Sequence, residues 1–108
     1  MLSDDLTLRE KIIEVLKNTE TPLTVDDIIA LLGLRRSDRR LVYEAILHAA
    51  KSLSRKSRGR LEIVMVPPYC MKCGYLFKDL KKPRKPSRCP RCKSERIAPP
   101  RFKIREKT

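Results

Sequence analysis

A chain of 108 residues with 41% hydrophobic content suffices for one small domain, or for a domain carrying a smaller metal-stapled one. Aromatic residues are only 5% and Trp is absent, so the core must be largely aliphatic; no apolar run approaches the ~18 residues of a membrane span. The net charge of +13 is uneven, with three Lys/Arg against seven Asp/Glu in residues 1–34 and a large basic excess afterwards, which implies a polyanionic partner for the second part.

Thr7-Leu-Arg-Glu10 has the form of a capping box, in which a hydroxyl and a carboxylate satisfy free backbone N–H groups. Leu8, Ile12, Val15 and Leu16 then recur at helical spacing as far as Asn18. Thr21-Pro22 breaks the chain. A second helix is expected from Thr24, with Asp26 and Asp27 in its first turn, where the helix dipole favours negative charge. Its apolar residues Ile28, Ile29, Leu31 and Leu32 lead to Gly33, a C-terminal cap. Ser37 suits the N-cap of a third and longer helix. There Val42, Ala45, Ile46, Ala49 and Leu53 fall on one stripe, with Arg40, Tyr43, Glu44, Leu47 and Lys51 on the other side. His48 stands alone and reads as a helix-surface residue, while Leu41 and Leu47 lie off the stripe, free to pack on a hairpin or a second subunit.

Two strand-like segments follow. Leu61-Glu-Ile-Val-Met-Val66 places Leu61, Ile63 and Met65 on one face, and Arg101-Phe-Lys-Ile-Arg-Glu-Lys107 alternates with Phe102 and Ile104 inward. Pro67-Pro68 follows the first and Pro99-Pro100 precedes the second. A closed module between these brackets would let the strands pair antiparallel as a hairpin.

That module holds all four cysteines. Cys70-x2-Cys73 and Cys89-x2-Cys92 have the spacing of a four-cysteine zinc site. Each Cys-x-x-Cys knuckle points two thiolates at one ion, and two knuckles complete a tetrahedron at ~2.3 Å per sulfur. Gly74 follows the first knuckle, where a left-handed residue is often needed. Lys93 holds the matching place in the second, which is therefore expected to be less regular. Two disulfides or a redox-active dithiol are the alternatives. The N-terminus, Met1-Leu-Ser-Asp-Asp5, lacks signal-peptide features, and the cytoplasm then expected disfavours stable disulfides. One structural zinc is the expected cofactor, with iron the second choice. Four thiolates leave no open position for substrate.

Thr24 to Leu53 has the pattern of a helix-turn-helix, in which residues near the start of the second helix reach base edges. Arg35, Arg36, Arg39 and Arg40 crowd that start, where their charge opposes the helix dipole and a phosphate backbone would compensate it. Tyr43 and Lys51 share the outward face, and Arg101, Lys103 and Arg105 would carry the positive field along the hairpin. These nine residues are the candidates for nucleic-acid contact.

The order of helices, hairpin and inserted ribbon resembles a small archaeal family in which a winged helix-turn-helix carries a rubredoxin-like zinc ribbon. The residues behind the resemblance are Cys70-Met-Lys-Cys-Gly-Tyr-Leu-Phe77, Pro86-Ser-Arg-Cys-Pro-Arg-Cys-Lys-Ser94 and Pro100-Arg-Phe-Lys-Ile104. It implies an α+β winged-helix fold (residues 1–66 and 99–108), a ribbon over residues 67–98 with zinc on the four cysteines, and a role in transcription. The absence of glutamine, with Asn18 the sole asparagine, fits a heat-adapted origin.

A DNA-binding regulator is the leading expectation. The alternative is a protein-interaction module docking on RNA polymerase or ribosomal machinery. An electron carrier holding iron is a third class. An enzyme is not expected, since no nucleophile–base pair, carboxylate pair or phosphate-binding glycine loop is present.

Overall fold

The first two predicted helix starts form as capping boxes. In the computed structural model, which describes residues 6–80 and 82–107, Thr7 caps α1 (Leu8–Lys17) and Glu10 reaches back to the Thr7 N–H. Thr24 and Asp27 repeat the arrangement at α2 (Val25–Leu32), with both bonds at 3.0 Å. Gly33 ends α2 in the left-handed region at φ 68°, where a side chain would be strained. The segment Met1 to Asp5, read above as lacking signal-peptide features, lies outside the described residues.

The third helix begins later than expected. Residues Arg36–Asp38 form a 3₁₀ turn, and α3 runs from Arg39 to Lys56 with Asp38, not Ser37, before its first residue. The Asp38 carboxylate accepts the Arg35 N–H at 3.0 Å, closing the turn from within. A carboxylate there also faces the positive end of the helix, which a serine hydroxyl would not neutralise.

The predicted strands pair in the predicted sense. Strand β2 (Leu61–Val66) lies antiparallel to β5 (Arg101–Glu106) in a register running from Leu61 opposite Glu106 to Val66 opposite Arg101. A two-residue strand, β1 (Leu23–Thr24), pairs with Phe102 and Arg101, so β5 is central in the order β1-β5-β2. Two residues are too short to show alternation, so β1 carries no strand signal in the sequence. Between β2 and β5 the chain forms the ribbon, whose β3 (Tyr69–Cys70) and β4 (Ile97–Ala98) pair antiparallel.

The architecture is mixed α+β, with three helices on an antiparallel sheet and an inserted ribbon. The five α3 residues predicted as one stripe are all buried, together with Ile12, Ile13 and Leu16 of α1 and Val25, Ile28 and Ile29 of α2. Phe102 is the sheet's only fully buried side chain, and Leu61, Ile63, Met65 and Ile104 pack partly buried around the same core. The ribbon has its own small cluster of Cys70, Cys89 and Ile97, with Tyr75 and Phe77 set edge to face at 5.1 Å. Among the described residues no helix is long and apolar enough to cross a membrane.

Phe102 is the one aromatic ring that fastens the central strand to the helices. Phe102→Ala should cost about 3–5 kcal/mol in urea unfolding followed by helical circular dichroism. A loss below about 1 kcal/mol would mean that the sheet is not anchored through this residue.

Candidate metal centre and basic surface

The two knuckles have the same backbone. In the first, the Gly74 N–H donates to the Cys70 carbonyl and the Cys70 N–H to the Tyr75 carbonyl, both at 2.9 Å. In the second, Lys93 and Cys89 stand in those donor places, with Cys89 and Ser94 accepting, again at 2.9 Å. Lys93 takes φ 63° where Gly74 takes 82°. The expected irregularity of the second knuckle is therefore absent. Lysine accepts the left-handed conformation here at some cost in strain, because the knuckle's hydrogen bonds and thiolates overdetermine it.

The knuckles face each other. Cys70 Sγ lies 3.5 Å from Cys92 Sγ, Cys73 Sγ lies 3.6 Å from Cys89 Sγ, and all four sulfurs fall within 4.8 Å of one another. A disulfide requires ~2.05 Å, so these are not bonded pairs. A tetrahedron with ~2.3 Å arms has edges of about 3.8 Å, which these separations match. Backbone N–H groups point at the sulfurs as well: Cys73 toward Cys70 Sγ at 3.5 Å, and Arg91 and Cys92 toward Cys89 Sγ at 3.4 Å. Such donors stabilise thiolates.

Burial works against charge on Cys70, yet the Cys73 and Lys72 N–H groups and the neighbouring thiols outweigh it and bring this thiol down to about 6. The Cys89 thiol is likewise lowered, by the Cys92 and Arg91 N–H groups acting against burial. Cys73 goes the other way: the Tyr75 N–H favours its thiolate, but burial and the other three sulfurs together push it up to about 11. One cluster thus holds thiols that cannot all ionise unless a cation joins them. That is the chemistry of a metal site with no open position.

The basic candidates are spread over different surfaces. The Arg39 guanidinium is held by Asp26 through two bonds, Nε–Oδ1 at 2.7 Å and Nη2–Oδ2 at 3.0 Å, which tie the start of α3 to the start of α2. Its hydrogen bond to Arg39 lowers the Asp26 carboxyl despite partial burial. The Tyr43 ring packs edge-on against Phe102 at 6.4 Å and is half-buried. Arg105 binds Glu62 across the sheet at 2.6 Å. Arg101 and Lys103 alternate with the core residues Phe102 and Ile104, so with Arg105 they occupy the sheet face turned away from the helices rather than the α3 face. Arg35 and Arg36 are exposed, and neither guanidinium has a carboxylate within 4 Å among the described residues. Arg40, also exposed, has only Glu44 at 3.6 Å, and Lys51 is exposed farther along α3.

The ribbon contributes cations that motif reading did not single out. Its loop brings Lys82, Arg84 and Lys85 opposite Tyr43 and Leu47 of α3. The only signal was the basic, proline-punctuated run before Pro86, which gives no direction in space. His48 is exposed, as expected; Leu41 is exposed, and Leu47 faces the ribbon loop.

Residues 7–61 match the PF0610-like N-terminal family model, and residues 67–107 match the PF0610 rubredoxin-like zinc beta-ribbon domain. The solution NMR structure of protein PF0610 from Pyrococcus furiosus is 31% identical to this chain, with a TM-score of 0.69, over 99% of this chain and 96% of that one. Comparison with curated proteins finds no match. The ribbon match and the four-sulfur cluster agree on one structural zinc ion held by the four cysteines.

Zinc must displace a proton at least from Cys73, whose thiol is raised, so affinity should rise with pH. Competition with a chelating dye at pH 6, 7 and 8 should show about a tenfold gain per unit for each proton released. An affinity that does not change with pH would contradict this assignment.

Proposed function

Because this chain belongs to the PF0610-like family, matched across both its helical part and its ribbon, we propose that it is a DNA-binding transcriptional regulator built as a winged helix-turn-helix. In this reading α2 and α3 are the helix-turn-helix, β2 and β5 form the wing, and the zinc ribbon occupies the wing tip.

The observation that supports it best is the unpaired charge at the turn. Arg35 and Arg36 stand exposed beside the first residues of α3, their guanidinium groups without a carboxylate partner among the described residues, and Arg40 follows with one weak partner. The surface is not evenly balanced at that point; it offers three guanidinium groups to one external polyanion. Arg39 has a different part. Its guanidinium is occupied by two bonds to Asp26, so in this reading it supports the contact residues and does not read a base itself.

Docking on a protein is the second reading, favoured by an apolar group on the ribbon. Tyr69 and Leu76 are bridge partners and both are exposed, as is Met71 in the adjoining knuckle. Ribbon docking onto transcription machinery would cover them.

Salt separates the readings. Binding to duplex DNA should weaken steeply with salt, and Arg35→Ala, Arg36→Ala and Arg40→Ala should each flatten the slope of log affinity against log salt by about one. Fluorescence anisotropy on the triple variant, with its fold checked by circular dichroism, gives the measurement. An unchanged slope would remove the turn from the interface. If the wild type bound no duplex even at low salt, the protein-docking reading would stand instead.

A further inference from the structure

The outward face of α3 is partly roofed. Tyr43 and Leu47 lie opposite the ribbon loop, and between them is a cleft of about 670 Å³. That is the size of a small-molecule pocket and too small to admit a duplex. The floor is apolar, made by the half-buried Tyr43 and Leu47 with Pro83 and Pro99.

The charges around it do not cancel. Asp26 is taken by Arg39, and Glu44 faces Arg40 at 3.6 Å. Lys82, Arg84 and Lys85 remain, with no carboxylate within 4 Å among the described residues. Pro83 and the buried Pro86 restrict the backbone that carries these three cations, so they are held over the cleft with less freedom to lose on binding. An aromatic and aliphatic floor under a cationic rim complements a ligand with a planar part and several negative charges.

We propose that this cleft binds a nucleoside phosphate, its base against Tyr43 and Leu47 and its phosphates on Lys82, Arg84 and Lys85. The assignment does not depend on DNA binding, since none of the three cations lies at the start of α3. It would nevertheless let a small anion bind beside the face offered to a polyanion.

The test is a titration of the zinc-loaded full chain, without DNA, followed by amide NMR signals and by calorimetry. ATP should shift Tyr43, Leu47 and the loop signals saturably, tripolyphosphate should bind more weakly, and adenosine more weakly still. The variant K82A/R84A/K85A should lose affinity for ATP by about tenfold or more. Its three sites are exposed and outside the knuckles, and unchanged zinc content and helical signal would show that it is folded. The proposal is overturned by any of three results: no cleft shift with millimolar ATP, equal affinity for tripolyphosphate and ATP, or undiminished ATP binding in the triple variant. The DNA reading can be tested through Arg35 and Arg36 alone, which do not line the cleft, so each can fail without the other.

Discussion

After Val66 the chain leaves the sheet, passes through residues 67–100, and must return with Arg101 opposite Val66. The sheet depends on that return, because the returning strand is the central one and carries the buried Phe102. Closing a loop of this length costs about 3 kcal/mol in chain entropy. The ribbon meets that cost locally. Zinc binding to four thiolates contributes roughly 10–16 kcal/mol at neutral pH, well above what the few apolar groups of the ribbon could supply. The β3–β4 pair and the buried Pro68 and Pro100 then hold the two ends of the insertion together at the sheet.

The same insertion changes what the helices can offer a partner. A helix-turn-helix usually presents the whole outward face of its second helix. Here the loop after the first knuckle stands over α3 from Arg39 to Leu47, leaving the turn at Arg35 and Arg36 open. Cations therefore stand in two places: Arg35 and Arg36 at the open turn, and Lys82, Arg84 and Lys85 on the rim of the cleft. The ion pair between Asp26 and Arg39 lines the cleft and joins the start of α2 to the start of α3.

Local chemistry made much of this legible. Thr7, Thr24 and Gly33 act as the caps their types suggest, the α3 stripe is the buried one, and the four cysteines converge as their spacing requires. What escaped was set by contacts distant in sequence. Arg39 looked free because its partner lies thirteen residues earlier on another helix. Tyr43 looked outward at 100° per residue, yet Phe102 of β5 meets its edge. Lys93 was expected to loosen its knuckle, since propensity does not register the hydrogen bonds and thiolates that hold it at positive φ. Arg101, Lys103 and Arg105 were correctly outward on their strand, but outward from the sheet is not toward α3.

The central claim is that zinc closes the insertion while the helical core supports itself. Amide hydrogen exchange on the full chain, before and after removal of zinc by a strong chelator, tests it most directly. Residues 70–97 should lose protection completely once zinc is gone, whereas the buried positions of α1, α2 and α3 should keep theirs. Loss of protection in the helices and ribbon together, in one step, would contradict the account and make the chain a single metal-dependent unit.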